Sequence, residues 1–320
     1  MRIGWTFAVV VAALALGACQ PGVSGGAAHR TVLKIASQKG GTRSLMIAAH
    51  ALDGAPYDVE WSEFPSAQAL LEALAAGAVD AGAVGDAPFV FAYAAGDRIK
   101  AVQATRAAAG GSSTAVLVRA DSAITGVAQL KGKRVATGRG SIGHYLLLRV
   151  LERAGLSPSD VTVVYLSPAD SKAAFDSGSV DAWVTWGSYV ALARLHDHAR
   201  VIADGQGVLS GIGFEAASDG AIGAKRAALA DFLHRLAGAQ RWESTHTGDY
   251  AQVLASDTGL PPDVALYTVS RLRGVPAPID AGIIDEERQT LRHFVEAGVI
   301  PKAPDLDAAF DTTFNAAAAP

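Results

Sequence analysis

Cysteine is almost absent: this chain of 320 residues holds one, Cys19. Everything beyond it therefore lacks a disulfide, a cysteine nucleophile and a thiolate metal site, and its stability has to come from packing. Long apolar runs are missing too. A stretch of twelve residues from Trp5 to Leu16 falls short of the ~20 that a membrane-spanning helix needs, and no later segment comes closer. A net charge of −4 gives no electrostatic case for nucleic acid or an anionic membrane surface. His234, His246 and His293 stand alone, while His196 and His198, two apart, do not share a helix face. No metal is expected. What the chain does have is a half-hydrophobic, Ala-rich composition, enough after the first residues for two lobes rather than one core.

The apolar stretch, preceded by Arg2, reads as an export signal rather than a membrane span. The tetrapeptide Leu16-Gly17-Ala18-Cys19 that follows resembles the lipobox of bacterial lipoproteins. That resemblance implies a signal peptide over 1–18 and lipid on the Cys19 sulfur and amine. Two kinds of chain make a stable anchor where one alone binds marginally. Residues 19–30 are Gly/Ser/Ala-rich and form a tether. The expected location is the periplasmic or extracytoplasmic face of a membrane.

Strand-like and helical runs then alternate, which predicts an α/β fold with mainly parallel sheets. Strands are expected at 31–37, 57–64, 79–84 and 100–105, with helices at 42–52, 67–76 and 88–95 between them. A second set has strands at 114–119, 135–137, 161–166 and 181–185 and helices at 145–154 and 169–177. Two similar sets predict two lobes around a cleft: 31–115, then 116–217, then a return to the first lobe over 218–316, with 218–223 as the crossing. From Lys225 the pattern is mostly helical. Glu286-Glu287-Arg288 reads as a charged outer face, and the last twenty residues lose pattern.

Two turns carry the chemistry. Gly138-Arg139-Gly140-Ser141-Ile142-Gly143 lies between a strand and a helix and matches the dinucleotide fingerprint G-x-G-x-x-G. That fingerprint needs an acid at the end of the next strand to hold a ribose. Here the strand ends in Leu166-Ser167-Pro168, so no cofactor is expected. A glycine-rich helix start still presents unpaired N–H groups and partial positive charge to an anion. Ser141 can add a hydroxyl and His144 a ring N–H; alternatively Ser141 caps the helix and His144 packs on its first turn. Gly85-Asp86-Ala87-Pro88 makes a similar end, where Asp86 either caps backbone N–H groups or repels an anion.

Several motifs occur in a fixed order: Gln38-Lys39-Gly40-Gly41-Thr42, Trp61-Ser62-Glu63-Phe64-Pro65, Gly85-Asp86-Ala87-Pro88 and Gly140-Ser141 with His144-Tyr145. Tyr165-Leu166-Ser167-Pro168-Ala169-Asp170, Asp181-Ala182-Trp183-Val184-Thr185-Trp186 and Gly298-Val299-Ile300-Pro301-Lys302 follow. From about residue 32 to about 310 this series resembles the aliphatic-sulfonate-binding proteins of bacterial ABC importers. The resemblance implies a type II periplasmic-binding-protein fold with two crossing strands, no catalysis, and a permease with its ATPase as partners. It implies a ligand set of Gln38, Gly85, Asp86, Ala87, Ser113, Gly140, Ser141, His144 and Trp186, the last as an apolar wall. Three positions depart from the family pattern. Gly187-Ser188 replaces Asp-Pro, Thr114 replaces a Glu that a zwitterion such as taurine would need, and the loop Arg106–Gly111 lacks its proline. Receptors for taurine, nitrate, sulfate esters and thiamine-precursor pyrimidines share the architecture and are the alternative.

Overall fold

A computed structural model describes residues 30–39 and 41–318; Cys19 and the signal segment lie outside the described residues. In chain order the elements are β1 (Val32–Gln38), α1 (Thr42–Ala48), β2 (Asp58–Phe64), α2 (Ala67–Ala75), β3 (Ala81–Gly85), α3 (Asp86–Ala95) and β4 (Ile99–Ala107). Next come β5 (Gly111–Val118), β6 (Arg134–Thr137), α4 (Ile142–Arg153), β7 (Thr162–Tyr165), α5 (Pro168–Asp176), β8 (Ala182–Trp186), α6 (Ser188–Leu195) and β9 (Arg200–Gly205). The chain closes with β10 (Ile212–Ser218), α7 (Asp219–Ala224), α8 (Arg226–Glu243), α9 (Thr247–Thr258), α10 (Pro262–Leu272), β11 (Gly274–Ala277) and α11 (Ala281–Glu296).

These strands make two sheets, ordered β11-β4-β10-β3-β1-β2 and β7-β6-β8-β5-β9. β1, β2 and β3 run parallel, as do β6, β7 and β8; β10 and β5 are inserted antiparallel. The chain passes from the first sheet to the second between β4 and β5 and returns between β9 and β10. Both passages fall several residues before the expected positions, because β5 already starts at Gly111 and 218–223 is the end of β10 followed by α7.

Local sequence accounts for most elements. β1 buries Leu33 and Ile35 on one side, against Phe232, Leu233 and Leu254 of α8 and α9. α4 packs Leu146, Leu147, Val150 and Leu151 inward and stops where Gly155 takes φ +70°. Trp183 of β8 meets Phe175 of α5 at 5.9 Å between ring centroids. Strands β9, β10 and β11 escape the sequence pattern. β10 is mostly small-residued and carries Glu215 in its middle, which argues against a buried strand, yet Glu215 is only 4% exposed. The chain end also packs: Phe310 and Phe314 are buried, and the Arg226 guanidinium lies 4.3 Å from the Phe314 ring centroid. The helix at 42–52 is shorter than expected, ending at Ala48 before His50 turns to φ 50°.

One correction bears on the site. α11 does not present Glu286-Glu287-Arg288 as an outer face. Glu287 lies on the inward stripe with Ile283, Thr290, Leu291 and Phe294 and is fully buried. Glu286 pairs with Arg106 of β4 at 2.6 Å. Only Arg288 points outward, bonding Asp285 and Asp307.

Candidate functional site

Strand ends and helix starts of both sheets enclose a cleft of about 270 Å³. Its distinguishing property is electrostatic. Gly41, Ala67, Asp86, Ser141 and Ser188 all line it, and these are the starts of α1, α2, α3, α4 and α6. Five helices thus aim their positive ends at one volume, three from the first sheet and two from the second. Among the described residues, Lys39 and Asp86 are the only charged side chains lining it. Lys39 is exposed and Asp86 is 1% exposed, so the interior is set by backbone dipoles, apolar walls and the Asp86 carboxyl.

The helix starts are not equally available. At α4 the Ser141 hydroxyl donates to the Gly138 carbonyl at 2.7 Å and accepts from His144 N–H at 3.0 Å. Ser141 therefore caps the helix, and the N–H of Ile142, the first-turn residue that also lines the cleft, remains for a ligand. At α3 the Ala87 N–H is spent on its own neighbour, the Asp86 carboxyl, at 2.6 Å. Pro88 has no N–H to give, which leaves α3 with little for an anion. Open donors remain at α4 and at α6, whose Gly187 start carries no side-chain cap.

His144 and Gly140 act behind that turn instead of in the cleft. Gly140 N–H donates to His144 Nδ1 at 3.2 Å, so the ring proton sits on Nε2 and points to the Tyr165 hydroxyl at 3.1 Å. Burial, followed by the nearby Arg139 charge, pushes the His144 pKa down to about 4; the ring is neutral. Gly140 has φ +68°, and a Cβ there would fall inside the Phe91 ring of α3. Glycine is required at this point on both counts.

Of the nine expected ligand residues, Gln38, Gly85, Asp86, Ser113, Ser141 and Trp186 line the cleft. Ala87, Gly140 and His144 do not; they shape its helix ends from behind. Gln38 donates one amide hydrogen to the Ala83 carbonyl at 3.0 Å, which leaves its second for a ligand. Trp186 stands edge-on to Tyr189, 6.4 Å between ring centroids. Sequence reasoning missed Gln68, Tyr189, Leu209 and Leu272. Gln68 and Tyr189 also bond across the cleft, to the Arg139 and Pro65 carbonyls, each at 3.4 Å. The starts of α2 and α6 were signalled by Pro65-Ser66 and Gly187-Ser188, both helix-entry patterns.

The departures from the family pattern sit on this surface. Thr114 is 3% exposed and lines the cleft, so no carboxylate stands at that position. Gly187 takes φ +56° and donates its N–H to the Ser113 carbonyl at 2.9 Å, making the turn into α6 without an acid. Arg106 is held by Glu286 and does not line the cleft.

Comparisons with known proteins agree on what these features resemble. A family model described as NMT1/THI5 like matches residues 57–206. A protein of Escherichia coli (strain K12) named as an aliphatic sulfonates-binding protein is 34% identical over 278 residues, 86% of this chain and 86% of that one. A protein of Bacillus subtilis (strain 168) with the same name is 28% identical, over 80% of this chain and 77% of that one. Among solved structures, the alkanesulfonate-binding protein SsuA from Xanthomonas axonopodis pv. citri bound to MOPS superposes with a TM-score of 0.81. It is 34% identical, covering 89% of this chain and 99% of that one.

Proposed function

The chain belongs to the aliphatic-sulfonate-binding proteins of bacterial ABC importers, and on that premise we propose that its cleft captures an aliphatic or aryl sulfonate for delivery to a permease and its ATPase. The observation that carries this reading is the convergence of five helix starts on an interior in which Asp86 is the one buried charged side chain. A sulfonate is a compact anion with three acceptor oxygens. It fits a site whose donors include the Ile142 N–H of α4 and the free amide hydrogen of Gln38. Trp186, Leu209 and Leu272 then wall the tail.

Taurine fits less well. Its ammonium needs a carboxylate, but Thr114 supplies none and both Asp86 oxygens already accept hydrogen bonds. Binding without catalysis completes the reading: the hydroxyl of Ser141 is committed to the backbone and His144 faces Tyr165, so neither is arranged to activate a nucleophile in the cleft.

A thermal-shift screen tests this against alkyl and aryl sulfonates, taurine, sulfate, nitrate, sulfate esters and pyrimidines. A ligand at a hundred times its Kd adds ~2.7 kcal/mol, a rise of ~4 °C at the ~0.6 kcal/mol per degree of a chain of about 300 residues. Sulfonates should stabilise the protein in a way that depends on the tail, and taurine should do less. A response to nitrate or pyrimidines with none to sulfonates would overturn the ligand class. The lipid anchor at Cys19 is part of the same proposal and rests on the Leu16–Cys19 motif. Incorporation of a labelled fatty acid in cells should vanish with Cys19→Ser; label retained by that variant would refute the anchor.

A further inference from the structure

Beneath the cleft two acids are buried without a cation of their own. Asp86, at the start of α3, accepts from Ala87 N–H at 2.6 Å and from the Ser210 hydroxyl at 2.5 Å. Glu287 of α11 is fully buried, and neither of its carboxyl oxygens has a hydrogen-bond partner. The cations nearby are already engaged. Arg106 on β4 is held by Glu286, and Arg149 on α4 is paired with Glu152. Tyr145 on α4 bonds His293 of α11 at 2.8 Å. An ionised carboxyl in such surroundings is costly, whereas a protonated one is not. An anion bound at the α4 end would add a further negative charge to a dry volume that Asp86 lines.

We propose that Asp86 takes up a proton when an anion occupies the cleft, so that ligand and proton bind together. This rests on the reading of the cleft as an anion site. Burial raises Asp86 to about 6 in the empty protein, against the lowering effect of its bonds from Ser210 and Ala87 N–H. Asp86 is thus mainly ionised at neutral pH before the ligand arrives. Burial first, then the Asp86 and Glu286 charges, hold Glu287 well above the carboxylate range, which favours its protonated form. Once Asp86 is protonated, the Ser210 hydroxyl can turn to accept its proton. The repulsion that would oppose an anion is then gone.

The test is binding of butanesulfonate between pH 5.5 and 8.5, with proton uptake read in unbuffered salt solution by a pH-stat. Sulfonic-acid buffers have to be avoided. Affinity should fall up to tenfold per pH unit above pH 7, with close to one proton taken up per ligand at pH 7.5. Asp86→Asn should bind as the wild type does at low pH, with a flat profile and no uptake. Glu287→Gln should leave the proton count unchanged. A flat wild-type profile with no uptake overturns the proposal, as does uptake that persists in Asp86→Asn. If butanesulfonate binds at no pH, the anion-site reading itself falls and takes the proposal with it.

Discussion

Ser141→Asp should abolish sulfonate binding and leave the fold intact. Aspartate is as good a helix N-cap as serine, so His144 N–H keeps its acceptor and α4 keeps its first turn. The change places a carboxylate where the Ile142 N–H would otherwise meet the ligand. Like charges held together in a desolvated site cost several kcal/mol. A loss of ~3 kcal/mol is a hundredfold in affinity, and the expected loss is at least of that order. Ser141→Ala separates charge from capping. It should lower stability by ~1 kcal/mol and weaken binding only a few-fold, because the Ser141 hydroxyl is already committed to Gly138 and His144. Calorimetric titration with thermal melts of both variants makes the comparison. Wild-type affinity in Ser141→Asp would move the anion site away from α4.

Folding stability should fall as pH rises from about 6.5 to 8.5. Burial raises Glu215 to about 8 and Glu243 to about 7, and it holds Glu287 well above its ordinary value. A carboxyl whose pKa is higher folded than unfolded binds more protons in the native state. Its stabilisation is complete below the unfolded value near 4.5 and is lost as pH climbs through the folded value. Each group contributes a slope of ~1.4 kcal/mol per pH unit within its window. Below about 6.5 the buried histidines act in the opposite sense: burial lowers His144 and His293, so acid costs stability through them. The upper interval therefore isolates the carboxyls. Urea unfolding at intervals of half a pH unit reads the slope. Glu215→Gln, which keeps the shape beside Gln103 on β4, should flatten it. Stability that is level or rising over this interval would mean these acids are not protonated in the folded state.

Much of this architecture is legible in the chain, for local reasons. Runs such as 31–37 and 161–166 can bury only as strands, and the Leu146, Leu147, Val150, Leu151 stripe can bury only as a helix. The turns at Gly85 and Gly140 announce helix starts through glycine and capping chemistry. What stayed hidden depends on tertiary contact. Gly140 and His144 belong to the right turn, but only the fold shows that they brace it from behind while Ile142 faces the cleft. Glu287 sits on an inward stripe that its charge disguises, and Glu215 disguises β10 in the same way. β11, with Gly274 and Pro276, exists because β4 offers it an edge. No propensity would have placed a strand there.

The convergence of helix starts has a mechanical side. α1, α2 and α3 arrive from one lobe and α4 and α6 from the other, so an empty cleft confronts positive ends with positive ends. Two long bonds cross the cleft itself, from Gln68 and Tyr189 at 3.4 Å, while Tyr145 to His293 at 2.8 Å and His196 to Asp263 at 3.2 Å join the lobes outside it. An anion seated between the lobes would meet helix ends from both sides, and their partial positive charges would draw on it in common.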